Sequence, residues 1–258
     1  MSNTALITGA SSGIGAEFAR YHAQKGGDMV VVARRQEPLE ALKLELEAAH
    51  NVKVTVIAQD VGTPDQAKAL HQKLKDAGIE IDILINNAGF GGQGAFLDRV
   101  LTKDQEMIDL NISALVTLSH LIGNDMRTRG GGKMLQVSST ASFQPGPYQA
   151  TYFATKAFVT SFSQAIDQEM RKDGITSTAL CPGVVSTEFI ETANLEGTGL
   201  SKQKAATPAS VAKCGYDAMM KGELIAINES ALSFVLNWLV PLMPRRRVLK
   251  MVESVQVK

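Results

Sequence analysis

Residues 4–15 read TALITGASSGIG, and the parsing of this stretch decides the fold. A short apolar run, Ala5–Leu6–Ile7, leads at once into Gly9, Gly13 and Gly15, and then into a helical stripe through Ile14, Phe18 and His22. Glycines between a strand and a helix permit positive φ and let the backbone approach a ligand, whose negative charge is favoured by the unpaired N–H groups of the helix start. Gly9, Ser11, Ser12, Gly13, Ile14 and Gly15 are therefore candidate contacts to a pyrophosphate. The competing reading is a tight turn without a ligand. The strand–turn–helix setting favours the dinucleotide.

Six further apolar runs, MVVVA, VKVTVI, IDILI, KMLQVS, ITSTAL and ELIAI, are short and rich in Val, Ile and Leu, with segments of helical period between most of them. Leu39, Leu42, Leu46 and Ala49 form one stripe of a helix starting near Pro38. Thr63, Pro64 and Gln66 predict a capping-box start with Gly78 as the stop, and Thr102 with Gln105 predicts the same device at the head of a longer helix. Alternating strands and helices favour a parallel sheet covered on both faces. The expectation is a doubly wound, Rossmann-like α/β fold of about seven strands in a single domain, residues 1–258. No repeat, linker or shift of composition marks a boundary.

Composition narrows the partners. Lys+Arg and Asp+Glu number 26 each in 258 residues, 20% are charged and 45% hydrophobic, which argues against disorder and against nucleic acid as the main target. Cys181 and Cys214 are far apart, and MSNTALITGA has neither a basic head nor a long apolar stretch, so reduced thiols, an opening strand and a cytoplasmic location are expected. His22, His50, His71 and His120 are scattered without ligand spacing, and no metal is expected.

The glycine turn resembles the T-G-x-x-x-G-x-G element of the short-chain dehydrogenase/reductase family, and the likeness continues in order. NNAG at 86–89, Asn111, Ser139 thirteen residues before Tyr152, Tyr152 four before Lys156, and PGVVST at 182–187 resemble that family's further landmarks. The resemblance is to a bacterial-type, NADP-preferring member. It adds Val61, Asn87, Ala88, Gly89, Pro182, Gly183, Val185 and Thr187 to the expected cofactor contacts, with Asp60 at the adenine. Asp60 and Thr187 also read as ordinary caps. At the end of the second run, VVVARR puts Ala33 where the family's NAD enzymes carry an aspartate, followed by Arg34 and Arg35. Guanidinium groups there grip a 2′-phosphate, so NADP(H) is the expected cofactor, a solvated arginine pair being the alternative.

Tyr152 and Lys156 share a helix face just beyond Pro145 and Pro147, with apolar residues at 154, 158, 162 and 166 supporting the helix. An adjacent ammonium favours the phenolate and is expected to lower the phenol's pKa. The resemblance implies a hydride transfer between NADPH and a carbonyl carbon, with Tyr152 as proton donor, Ser139 orienting the oxygen, Lys156 tuning Tyr152 and holding the nicotinamide ribose, and Asn111 supporting a water that links Lys156 to solvent. Asn111 alone also reads as an exposed helical side chain. Tyr148, lacking a lysine partner, is expected in the pocket wall.

The substrate is expected to meet residues 90–99, 140–150 and a lid at 188–206, through Phe90, Phe96, Phe143, Tyr148, Phe189, Ile190, Leu195 and Leu200. These predict a small, largely apolar carbonyl or alcohol. The extension 229–258 combines an apolar run, Ala231–Met243, with Arg245, Arg246 and Arg247. It reads as a helix packed on the pocket or a neighbouring subunit, as a peripheral membrane contact, or as a disordered tail. A homodimer or homotetramer pairing through residues 102–129 and 151–172 is expected from the resemblance. The rival functions are an NAD-linked dehydrogenase working in the oxidising direction and a non-catalytic dinucleotide sensor.

Overall fold

In a computed structural model, which describes residues 3–257 apart from the side chains of residues 230 and 231, all seven expected strands are present. Met1, Ser2 and Lys258 lie outside the described residues. The strands are β1 (Ala5–Thr8), β2 (Met29–Ala33), β3 (Val54–Ala58), β4 (Ile83–Asn86), β5 (Gly132–Val137), β6 (Ile175–Leu180) and β7 (Ile225–Ala226). They pair in parallel in the order β3-β2-β1-β4-β5-β6-β7.

Alternation along each strand fills two cores. Ala5 and Ile7 of β1 and Met29 and Val31 of β2 face α1 (Gly13–Gln24), α2 (Gln36–Ala49) and the later helix Pro208–Lys221, through Phe18, Leu39, Leu46 and Met219. Leu6, Val30 and Val32 face the opposite side, where α3 (Pro64–Asp76) contributes Leu70 and Leu74. Both faces of a parallel sheet are thus buried, as the near-continuous apolar runs require. Each fully buried Leu or Phe stabilises the fold by about 1.5–3 kcal/mol. Sequence order reverses between β1 and β4, so the crevice beyond their carboxyl ends is where a ligand is expected.

Both halves of the capping box at Thr63 form, its hydroxyl accepting the Gln66 N–H and the Gln66 side chain accepting the Thr63 N–H. The expected box at Thr102 does not. Instead α4 (Leu101–Ile108) starts from Val100 without a side-chain cap, and the chain is held there by the Arg99–Asp104 ion pair, 2.6 Å, inside the fold. The long helix runs without a break to Arg129, with a π-helical turn, Asp109–Ala114, set between α4 and α5 (Leu115–Arg129).

Helix α6 (Ala150–Met170) begins where the two prolines predict. Its inward face is Tyr152, Phe153, Thr155, Lys156, Val159 and Ser163, whereas Ala154 and Phe158 are exposed, so the apolar spacing begins as an outer stripe at 154, 158 and 162 and reaches the core only at Ile166. Phe158 and Phe162 stack on that stripe at 5.7 Å. His22 is fully buried, its Nδ1 2.8 Å from the Tyr216 hydroxyl. Beyond α7 (Phe189–Thr192) and α8 (Pro208–Lys221), the chain closes with α9 (Ser230–Phe234), a short irregular helical stretch to Leu242, and α10 (Arg245–Gln256). No helix of the described residues is long and apolar enough to cross a membrane.

Candidate active site

The glycine turn is shaped by contacts a side chain would destroy. Gly9 has φ +69°, and a Cβ there would stand 2.8 Å from Asn87 Nδ2. A Cβ on Gly15 would overlap the Gly9 carbonyl oxygen itself. Asn87 locks the turn to β4, its side-chain amide donating to the carbonyls of Thr8, 2.9 Å, and Gly9, 3.3 Å. Thr8, which sequence reasoning passed over, accepts the N–H groups of Asn87 and Ala88 at 3.0 Å each. The signal was available as a threonine closing β1 immediately before the first glycine.

Ser12 precedes α1 without capping it, so the helix opens into a cleft of about 1340 Å³ with its first N–H groups free of a side-chain partner among the described residues. Every expected cofactor contact except Gly15, which packs behind the turn, lines this cleft, among them Ser11, Gly13 and Ile14, then Arg34 and Arg35, Asp60 and Val61, Ala88 and Gly89, and Pro182, Gly183, Val185 and Thr187. Asp60 also accepts the Gly62 N–H, 3.0 Å, and Thr187 the Phe189 N–H, 3.3 Å, so the local capping-type roles hold as well. Glu188 was not anticipated here. Its carboxylate accepts hydrogen bonds from Ser12, 3.0 Å, and Arg35, 3.1 Å, across the cleft mouth.

Ser139, Tyr152 and Lys156 line the same cleft. The Ser139 hydroxyl accepts the Ala141 N–H, 3.1 Å, and faces the Pro182 carbonyl. Lys156 Nζ donates to the Val137 carbonyl at 2.9 Å and sits 5.8 Å from the centre of the Tyr152 ring. Burial pushes the Tyr152 phenol up to about 12, with the Ser139 hydroxyl acting in the opposite sense. Burial likewise pushes Lys156 down to about 8. The expected lowering of the phenol by the ammonium is therefore corrected: loss of water dominates both groups, and the lysine is tied to a backbone carbonyl instead.

Asn111 is buried rather than solvent-facing. The π-helical turn directs it inward, where it accepts the Phe90 N–H, 3.2 Å, and donates to the Phe90 carbonyl and the Thr155 hydroxyl. Asn111 Oδ1 and Lys156 Nζ flank Gly89, at 2.9 and 3.4 Å from where a Cβ would stand.

The far wall differs in part from expectation. Phe90, Phe189, Ile190, Leu195 and Leu200 line the cleft, and the Phe189 ring lies 5.4 Å from that of Tyr152. Phe96 is exposed, Phe143 packs into the cluster behind, and Tyr148, at φ +63°, contributes its carbonyl to Gly94 rather than a ring to the wall. Neighbouring Gln149 lines the cleft in place of Tyr148. Gln93, Val252, Val255 and Gln256 complete the wall, Gln149 donating to Gln256 Oε1 at 2.6 Å and Gln93 to its carbonyl at 3.1 Å. Gln149 was legible as the residue three before Tyr152 on one helix face; nothing in the sequence pointed to Gln256.

A seven-stranded parallel sheet with a glycine-built anion seat and a tyrosine–lysine pair in one crevice defines a class of dinucleotide-dependent oxidoreductase. The chain belongs to the short-chain dehydrogenases, the family whose description matches residues 3–197. It is similar to the ketoacyl reductase HetN of Nostoc, 32% identical over 89% of this chain and 80% of that one. It is also similar to the very-long-chain 3-oxoacyl-CoA reductase of Homo sapiens, 30% identical over 91% of this chain and 76% of that one. Among solved structures, a short-chain dehydrogenase from Sphingobium yanoikuyae in complex with NADPH superimposes with a TM-score of 0.84 at 29% identity, covering 99% of this chain and 98% of that one. The protein is thus an oxidoreductase of the CH–OH/C=O interconversion that uses a nicotinamide cofactor.

Proposed function

We propose that the protein is an NADP(H)-dependent carbonyl reductase, or the corresponding alcohol dehydrogenase in reverse, acting on a largely apolar small molecule. The observation that carries this reading is the convergence of Ser139, Tyr152 and Lys156 on the cleft that the glycine turn opens into. The glycine cradle and the uncapped start of α1 suit a pyrophosphate. NADP(H) is favoured over NAD(H) because Ala33 offers no carboxylate to a ribose, while Arg34 and Arg35 border the cleft beyond it.

When bound, NADPH supplies a hydride to the carbonyl carbon. Tyr152 gives its phenolic proton to the developing alkoxide; a phenol held near 12 stays protonated at neutral pH and is still a stronger acid than the alcohol formed. Ser139 donates a hydrogen bond to the same oxygen and fixes its position. Lys156, which holds its proton less tightly than a free lysine, stands on the route by which Tyr152 regains a proton, with Asn111 supporting that route across Gly89.

Phe90, Phe189, Ile190, Leu195 and Leu200 make the substrate wall apolar, which accords with relatives named as ketoacyl and 3-oxoacyl-CoA reductases. Residues 188–206 act as the lid. The subunits pair through α5 and the outer stripe of α6, where Phe158 and Phe162 stack and Phe158 stays partly exposed. The enzyme works in the cytoplasm, in keeping with two unpaired cysteines. The experiment is Tyr152→Phe: NADPH binding is unchanged, and turnover falls at least about a hundredfold across aldehydes and ketones. A variant with turnover intact sinks the reading.

A further inference from the structure

We propose that the outward face of residues 234–251 docks the protein on the surface of an anionic bilayer. This inference goes beyond the reaction and stands independently of it. The segment has two faces. Leu236, Val240, Val248 and Val252 are buried in one cluster with Met107, Tyr152 and Phe153, which fixes the segment against the catalytic side of the fold. Phe234, Trp238, Leu239 and Leu242 point away from it, Trp238 with 67% and Leu242 with 84% of their surface exposed. Large apolar side chains exposed singly are ordinary, but a cluster beside a polar rim marks an interaction site.

The chain that follows the apolar face is cationic. Arg245, Arg246, Arg247 and Lys250 are exposed, and among the described residues none of them forms an ion pair. No Asp or Glu occurs between Glu229 and Glu253. A second copy of the chain is a poor occupant, because a two-fold contact sets a patch against itself and brings four cations toward four. A surface of acidic lipids takes both parts: indole, phenyl and leucyl groups enter the headgroup boundary while guanidinium groups pair with phosphates. Such a segment lies in the interface plane and does not span it. Because α10 also supplies Val252, Val255 and Gln256 to the cleft, docking couples the bilayer surface to the substrate wall.

The test is flotation of the full chain with phosphatidylcholine vesicles with and without phosphatidylglycerol. Binding is expected to the anionic vesicles only and to weaken as salt rises. Replacing Arg245, Arg246 and Arg247 by Glu lowers the affinity at least about a hundredfold. The double substitution Trp238→Ser, Leu242→Ser lowers it about tenfold. NADPH fluorescence and circular dichroism verify that both variants are folded. Absence of flotation with anionic vesicles, or variants that float like the parent, overturns the proposal. So does a change of subunit number in either variant by sedimentation, which would assign the face to contacts between copies.

Discussion

On the β1–β4 side of the cleft, contacts come from backbone turns pinned to the sheet. Gly9, Gly13 and Gly15 crowd against Asn87, Ala88 and Thr187, and Thr8 holds the β4 turn by two backbone N–H groups. On the opposite side they come from side chains of four separated segments, Gln93 after β4, Gln149 at the head of α6, Phe189 to Leu200 in the lid and Val252 to Gln256 in α10. The first side has almost no freedom to vary, because a Cβ on Gly9 or Gly15 would meet backbone there and one on Gly13 would meet Thr187. The second can exchange side chains without moving a strand, and that is the material from which a family fits one cofactor to many substrates.

This contrast can be broken most directly at Gly15. Gly15→Ala drives a methyl into the Gly9 carbonyl and should lower cofactor affinity at least about a hundredfold, measured by NADPH fluorescence, since small misplacements at a positioned site are expensive. Retained affinity would show that the turn can relax as freely as the far wall.

Lys156 tests the junction of the two sides. Its folded-state pKa, down to about 8 from 10.5, means that the unfolded chain binds more protons between those values, so stability rises with pH across that window. Below it, the buried ammonium destabilises the fold by about 3 kcal/mol. Lys156→Met should therefore be more stable than the parent in urea at pH about 7 while losing turnover, and the gain should fade by pH about 10. A difference independent of pH would dismiss burial as the cause.

Smaller effects sharpen the cofactor side. Arg35→Ala should weaken NADPH about tenfold and leave NADH unchanged; equal losses would count against a 2′-phosphate grip. Glu188→Gln, which frees Arg35 and Ser12 from an exposed carboxylate, should strengthen NADPH about twofold to threefold.

The same contrast separates what the sequence shows from what it hides. Strand count, the glycine turn, the capping box at Thr63 and the Tyr152–Lys156 pair were legible because each is written in neighbouring residues. The substrate wall was legible only in part. Phe90 and Phe189 face the cleft while Tyr148 and Phe96 do not, and contacts between segments as distant in sequence as Gln93 and Gln256 decide that by packing. Thr102 and Gln105 spell a cap, yet the Arg99–Asp104 pair and the packing of α4 start the helix two residues earlier, with Val100 at the cap position. The pKa of Tyr152 escaped for a related reason: spacing reveals that a lysine is near, but only the surrounding fold reveals how little water remains.

The widened turn at Asp109–Ala114 has a consequence for insertions and deletions. It accommodates one residue more than an α-helical turn, and each residue rotates a helix by about 100°. Deleting one position there would restore regular winding and swing Asn111 away from Phe90 and Thr155, although no residue of the cleft had been replaced. The segment works as a register key, and its length carries as much of the design as its side chains.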